Sequence, residues 1–513
     1  MKPSRLLAGF FTVGLWTLAS RVLGFVRDIM VAALLGAGPV AEAFLIAFAL
    51  PNMFRRFFAE GAFNMAFVPL FSKKVEADED ALGFARDAFT GLATVLIVFS
   101  SVAIVLMPWL VLAMASGFSG DARFDLAVDY GRIAFPYILF ISLAALLSGV
   151  LNALGRFAAA AAAPVLLNIL FIIAMLGARA MGWPVGDALV WTVPLAGVAQ
   201  LALVWIAASR AGYRLTMRLP RLTPELKRLA IIAAPAALAG GVVQVNLLVG
   251  RQVASFFDGA VVWLSLADRL YQLPLGVVGI AIGVVLLPEL SRRLQAGDRS
   301  GGQDALSRAG EVSLALTIPA AVALMIVPFP LVTVLYQRGA FGADDAAATA
   351  LAVAVYGAGL PAFVLQKVLQ PLYFAREDTR TPLRFALVAM VLNAGVAIGL
   401  APTIGFIAAA FGTTLAGWAM AWLLWRGSRK MGSEARFDAR CRKRIWRILL
   451  ASILMGAVLL LTALLLGAMF LTPTLRYLAL VLLVGTGMLT YALAGQAFGA
   501  FRMSEFRSAI RGR

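Results

Sequence analysis

Apolar residues in this chain do not alternate with polar ones; they run together in blocks of about 20 residues or more, the length a helix needs to cross a bilayer. Fourteen such blocks are recognised, at 6–35, 41–72, 86–116, 129–155, 160–180, 187–209, 229–257, 260–291, 310–336, 346–375, 382–402, 405–425, 446–469 and 476–500. Backbone amides and carbonyls cannot be left unpaired in lipid, so these blocks predict helices. The longest are expected to tilt, bend or extend past the hydrocarbon. The apolar stretch after Met1-Lys2-Pro3-Ser4-Arg5 runs on to about Gly36 and lacks a clear cleavage site, so it is expected to be a retained first helix and not a signal peptide. The predicted fold class is therefore all-α and polytopic, with about 14 transmembrane helices.

The polar positions set the topology. With the N-terminus placed inside, 32 of the 44 Lys and Arg fall in the two tails and in every second loop, whereas the opposite side holds five, Arg123, Arg132, Arg179, Arg338 and Arg476. That bias predicts a multi-pass protein of the bacterial cytoplasmic (inner) membrane with both termini cytoplasmic. The net charge of +18 lies in short loops between spans, where it reads as a topology signal and a contact for anionic membrane lipids; nucleic acid is excluded as a partner. With 62% hydrophobic and 14% charged residues, against roughly 25% charged in soluble proteins, no soluble domain is left over. The single cysteine, Cys441, cannot form an internal disulfide, and the absence of histidine removes His-metal sites, Ser-His triads and imidazole relays. No Lys follows a Gly, so there is no Walker A loop. Neither metal, cofactor nor catalytic residue is expected, and the chain reads as a secondary-type transporter and not an enzyme. Coupling to the membrane potential or an ion gradient stays open.

An internal repeat is visible. Pro69-Leu70-Phe71-Ser72-Lys73-Lys74 ends the second span and Pro288-Glu289-Leu290-Ser291-Arg292-Arg293 ends the eighth, each after a Leu-Pro pair, Leu50-Pro51 and Leu273-Pro274. Both copies end on the cytoplasmic side, which makes the repeats parallel. The expected organisation is an N-terminal lobe of six spans at 1–210, a C-terminal lobe of six at 211–430, and a final pair of spans with a basic cytoplasmic tail at 431–513.

Seven cations remain once the loops are counted: Arg21, Arg27, Arg55, Arg56, Arg251, Arg269 and Lys367, all within spans. A charge facing lipid costs about 2.5–3.5 kcal/mol or more, so seven would exceed ordinary folding stability. Only Asp28, Glu60 and Asp268 are carboxylates clearly inside spans, with Glu42 near the outer rim. Three acids cannot neutralise seven cations, so the surplus predicts a hydrated cationic cavity between the lobes. Six of the seven are Arg, whose planar fork matches phosphate oxygens in pairs, pointing to a phosphate or diphosphate head group. Plainer roles stand beside this one. Arg27 with Asp28, Asp268 with Arg269, and Arg56 with Glu60 are candidate ion pairs, although neighbours on a helix diverge by about 100° and need help from other helices to pair. Arg251, near the outer end of its span with Glu42 on the same rim, has snorkelling as its plain reading. Gly24, Pro51 and Pro274 are candidate hinges, with ordinary helix packing as the alternative.

Ser20-Arg21-Val22-Leu23-Gly24-Phe25-Val26-Arg27-Asp28 resembles the first-helix motif of the MurJ (MviN) family of lipid II flippases. Leu50-Pro51-Asn52 with Arg55-Arg56-Phe57-Phe58-Ala59-Glu60-Gly61 is similar to that family's second helix, Ala267-Asp268-Arg269-Leu270 with Pro274 to its eighth, and Lys367 with Asp378-Thr379-Arg380-Thr381-Pro382 to its tenth and the loop after it. The resemblance implies the fold of the multidrug/oligosaccharidyl-lipid/polysaccharide exporter superfamily, two lobes around a central cavity. It implies lipid II, the undecaprenyl-diphosphate-linked disaccharide-pentapeptide of peptidoglycan synthesis, as substrate. Arg21, Arg27, Arg55 and Arg269 match the family's cavity arginines, and the last two spans its groove for the lipid tail. Gln272 stands where the family often carries an acid, and spans 229–257 and 382–402 hold no acid for a cation, only Gln244, Asn246 and Asn393. Sodium coupling is therefore left open.

The expected mechanism is alternating access: Arg21, Arg27, Arg55, Arg269 and Lys367 take the diphosphate from the inner leaflet, supported by Asp28, Arg56, Glu60 and Asp268, and the lobes rock to present it outside. The cell-wall synthesis machinery is a further candidate partner. Two rivals remain: a flippase for another polyprenyl-diphosphate-linked glycan, and a membrane enzyme acting on polyprenyl phosphates. The second would want an acid cluster at the membrane surface, and Glu76, Asp78, Glu79 and Asp80 read more simply as a solvated loop.

Overall fold

The computed structural model describes residues 3–55, 62–281 and 286–501. Among them every regular element is helical, and the only bridge pairs Arg338 with Phe341. In chain order the helices are α1 Pro3–Leu35, α2 Pro39–Arg55, α3 Ala62–Glu76, α4 Ala81–Val105, α5 Met107–Ala115, α6 Ala122–Ala134, α7 Tyr137–Ala153, α8 Ala158–Met181, α9 Val185–Arg210 and α10 Pro224–Ala254. They continue with α11 Ala260–Ala281, α12 Leu287–Gln295, α13 Arg299–Ile326, α14 Pro328–Tyr336, α15 Ala343–Phe374, α16 Arg380–Ile404, α17 Ile407–Ser428, α18 Ala439–Leu465, α19 Gly467–Leu471 and α20 Arg476–Ala497.

Ten stretches among the described residues are long and apolar enough to cross a membrane, and they match ten of the fourteen predicted spans. The other four predictions fall on α1, on α2 and α3, on α10, and on α11 and α12.

Several apolar blocks expected to be single helices are broken. The block 86–116 breaks at Leu106, and 310–336 breaks at Val327. In each case a proline stands at the start of the next helix, Pro108 or Pro328. Proline has no N–H to give to the preceding turn but fits the first turn of a new helix, so hydropathy runs on while the hydrogen-bond ladder stops. The block 129–155 starts earlier, at Ala122, and breaks at Phe135-Pro136; 446–469 breaks at Leu466.

These interruptions extend the repeat. Pro108 and Pro328 lie 220 residues apart, close to the spacing of the two basic pairs. The helix before each break is capped alike: Asp80 accepts the Gly83 N–H at the start of α4, and Asp298 accepts the Gly301 N–H at the start of α13. An Asp at the cap satisfies a backbone donor that the helix itself cannot.

The chain forms two compact units, Met1–Val262 with Arg338–Phe341, and Trp263–Gln337 with Gly342–Arg513. In the first, α7 and α8 pack on α9, α1 packs on α8, and α2 on α6. Gln200 of α9 ties three helices together: its carbonyl accepts from Tyr137 Oη of α7 (3.2 Å), and its amide donates to the Ala163 carbonyl of α8 (2.8 Å). In the second, α15 and α16 pack on α17, and α13 lies against α15 and α18. Its core joins Val364, Val368, Leu372 and Tyr373 of α15 to Met420 and Leu424 of α17, and Tyr373 Oη donates to the Leu424 carbonyl at 2.7 Å.

In the first unit the segment Arg338–Phe341 lies on the end of α1, where the Ala340 N–H donates to the Ala33 carbonyl (2.9 Å). Gly36 (φ 64°) and Gly339 (φ 59°) hold left-handed conformations there, and a Cβ on either would collide with a carbonyl oxygen of the other segment. Only glycine meets both demands.

Candidate functional site

The first cluster lies on α1. Arg27 Nε and Nη2 both donate to Oδ1 of its neighbour Asp28, at 3.0 and 2.7 Å, and Nη1 donates to Oδ1 of Asn168 in α8 at 3.1 Å. The guanidinium also sits 5.6 Å from the centroid of the Phe171 ring. Two positions that diverge around the helix thus do pair, and the second helix that such a pair needs is α8. A guanidinium has five N–H donors. Three are taken by Asp28 and Asn168, and the Arg27 side chain keeps 13% exposure. Gly24 faces the Asn168 amide, where a Cβ would stand 3.5 Å from Nδ2. Arg21, two turns earlier, is exposed and has no ion pair among the described residues. Pro51 is buried inside α2, which runs on to its last residue, the half-buried Arg55. Arg56 and Glu60 lie outside the described residues.

A second cluster surrounds Glu42 in the first turn of α2. Glu42 is 1% exposed and accepts from Arg123 Nη1 (3.0 Å) and the Val261 N–H (3.2 Å). Arg123 also pairs with Asp121 and with Asp258 (2.9 Å), and lies over the Phe118 ring at 4.6 Å. Arg123, expected in a loop, is instead buried in the first turn of α6. Arg251 is half-buried on α10. Its neighbour Gln252 accepts the Ser116 N–H and donates to the Ser116 hydroxyl.

In the second unit, Asp268 is half-buried and Arg269 exposed on α11. Gln272, one turn on, donates its amide to the Asp268 carboxylate. Gln272 therefore supplies a donor to Asp268 where an acid would repel it. Tyr271 is buried against Tyr356 and Phe363, with ring centroids at 5.2 and 5.7 Å. Pro274 lies inside α11, and Lys367 is exposed on α15. Asn393 is buried on α16, whereas the side chains of Gln244 and Asn246 lie outside the described part. An apolar groove of about 360 Å³ runs between α13, α14, α18 and α20, lined by Val327, Leu331, Met455, Leu459, Leu483 and Gly487 among others.

Among the described residues no three His, Cys, Asp or Glu side chains are grouped to hold a metal. Outside the spans, charge is organised at helix ends. The Gly301 N–H and the Ser300 hydroxyl hold the Asp298 carboxyl below its usual range. Glu225 and Glu79, 2.8 and 3.0 Å from Lys74, hold its ammonium above its usual value.

Sequence reasoning missed Asn168 and the role of Arg123. The signal for Asn168 was a lone amide in the apolar run Pro164–Leu176; for Arg123 it was an arginine two residues after an aspartate at a helix start.

Residues 31–485 match the family profile described as lipid II flippase MurJ. The chain is 46% identical over 461 residues to the probable lipid II flippase MurJ of Rhizobium meliloti, covering 88% of this chain and 86% of that one. It is 37% identical over 436 residues to the lipid II flippase MurJ of Burkholderia cenocepacia, covering 83% and 84%. Its fold is similar to a solved structure of lipid II flippase MurJ in an inward closed conformation, with a TM-score of 0.80 and 24% identity over 95% of this chain and 98% of that one. It is also similar to an inward-facing multidrug resistance MATE family transporter of the MOP superfamily, with a TM-score of 0.66 and 15% identity over 81% and 95%.

Proposed function

The chain belongs to the MurJ family of lipid II flippases, and from that premise we propose that it carries lipid II from the inner to the outer leaflet of the bacterial cytoplasmic membrane by alternating access, for cell wall synthesis. Arg21, Arg27, Arg55, Arg269 and Lys367 receive the diphosphate and head group. Asp28 and Asp268, with Arg56 and Glu60, orient these cations; Glu42 and Arg251 form the outer rim; Gly24, Pro51 and Pro274 are the hinges. The prenyl tail stays in lipid and lies in the groove of α13, α14, α18 and α20, whose lining is apolar.

Two cations within apolar blocks of the sequence, on α1 and α15, support this assignment most. Arg21 and Lys367 are exposed and have no ion pair among the described residues, so their charge is available to an anionic guest. Arg27 differs: Asp28 balances its charge, and it contributes fixed donors more than net positive potential. Both termini are cytoplasmic, and transport draws on gradients without ATP. An inside-negative potential favours outward movement of an anion by about 2.3 kcal/mol per charge per 100 mV. It also draws the emptied cationic cavity back inward.

The test is complementation of a strain depleted of its own lipid II flippase, read by the accessibility of lipid II in the outer leaflet. Arg21→Ala and Arg269→Ala are expected to be made at normal levels and to fail. Full complementation by both variants overturns the site assignment.

A further inference from the structure

We propose that Asn168 is a positioning residue for the head-group site, holding Arg27 so that its two remaining N–H donors stay available to a phosphate of the substrate. The proposal rests on the reading above that Arg27 meets the diphosphate.

The orientation of the Asn168 amide follows from its surroundings. Its nitrogen donates to two backbone carbonyls, Ser20 at 3.0 Å and Pro164 at 3.2 Å. Amide nitrogen and oxygen are told apart by their partners, and two carbonyl acceptors leave one assignment. Oδ1 must then face Arg27, and it accepts from Nη1 at 3.1 Å. Asn168 is 5% exposed and sits in an otherwise apolar stretch of α8, so water offers Oδ1 little competition.

Asp28 alone does not fix the guanidinium. Nε and Nη2 both converge on the single oxygen Oδ1 of Asp28, so the plane can still swing about that point. The bond to Asn168 from a separate helix removes this freedom, and the Phe171 ring, 5.6 Å away, covers one face. What remains is a guanidinium with a set plane and two uncommitted donors, the pre-organised fork that paired phosphate oxygens require.

Asn168 also staples α1 to α8 through Ser20, and a merely structural role would act through that bond. A double-mutant cycle separates the two. The full-length protein is purified and its affinity for undecaprenyl diphosphate is measured for wild type, Asn168→Ala, Arg27→Ala and the double variant. Arg27→Ala is expected to weaken binding. Asn168→Ala is expected to weaken it about tenfold when Arg27 is present, and by less than about twofold when Arg27 is absent. Loss of the staple lowers the thermal midpoint in both backgrounds, so the coupling in affinity, and not the stability, reports the role. Asn168→Ser, whose hydroxyl can return to the Pro164 carbonyl, carries the same expectation if Asn168→Ala does not fold. If Arg27→Ala leaves affinity unchanged, the assignment of Arg27 to the head group falls and takes this inference with it. If Asn168→Ala weakens binding equally in both backgrounds, or not at all, this inference is overturned while the head-group reading stands.

Discussion

The Glu42–Arg123 pair offers a stability experiment in which the order of the variants carries the information. Arg123→Ala strands Glu42, which is 1% exposed and keeps only backbone N–H donors from Gly259 and Val261. Removing one partner of a buried pair costs about 3–5 kcal/mol, and those donors place the cost near the lower end, at about 3 kcal/mol. Glu42→Ala strands less. Arg123 keeps Asp121 and Asp258, whose side chains are 40% and 91% exposed and bring solvent with them. The loss is then mainly one charge-assisted hydrogen bond and the shared acceptor of the Gly259 and Val261 donors, about 2 kcal/mol. The double variant Glu42→Leu/Arg123→Met removes both charges and restores apolar volume, and should lose about as much as Glu42→Ala, well below the sum of the single losses. Equilibrium unfolding of the purified protein in one detergent, followed by tryptophan fluorescence, measures all three. Equal losses for the two single variants, or a double variant as damaged as their sum, would refute the argument that Glu42 is the deeply buried partner.

Two further substitutions probe the local backbone. Gly339→Ala forces a side chain into a left-handed conformation and against the Ala33 carbonyl. It should cost about 2 kcal/mol or more, read as a lower thermal midpoint and faster amide exchange at Ala340. Asp298→Ala removes the cap on α13, so amides 301–304 should exchange faster. Because the native Asp298 carboxyl is held below its unfolded range, its contribution is complete at neutral pH and is lost as pH falls through that lowered value. The exchange difference between wild type and Asp298→Ala should therefore close under strongly acidic conditions and be constant between pH 6 and 8, as estimated from an ordinary carboxyl value of about 4.

The parts of this protein that could be read from its sequence are those governed by solvent. Apolar run length marks α8, α9, α15 and α16 because lipid imposes one length on them all. The basic pairs at Lys73-Lys74 and Arg292-Arg293 exposed the repeat for the same reason. What was not legible depended on geometry within those runs. An apolar block reads the same whether Pro108 sits inside one helix or opens a second. Arg123 looked like a loop residue because nothing near it in sequence shows that Glu42, 81 residues earlier, closes over it. The Arg27–Asp28 pair was visible as adjacent letters, but its completion by Asn168, 141 residues on, belongs to the packing of α1 on α8.

The segment Arg338–Phe341 bears on how the protein can be divided. It is flanked in sequence by α14 and α15, yet by contact it belongs with Met1–Val262. A truncation ending at Val262 would therefore lack a small piece of its own unit, leaving the Ala33 carbonyl without the amide that now caps it. Split-gene experiments that co-express two halves should accordingly treat the first fragment as incomplete by four residues, and supply them as an added peptide or an extended fusion.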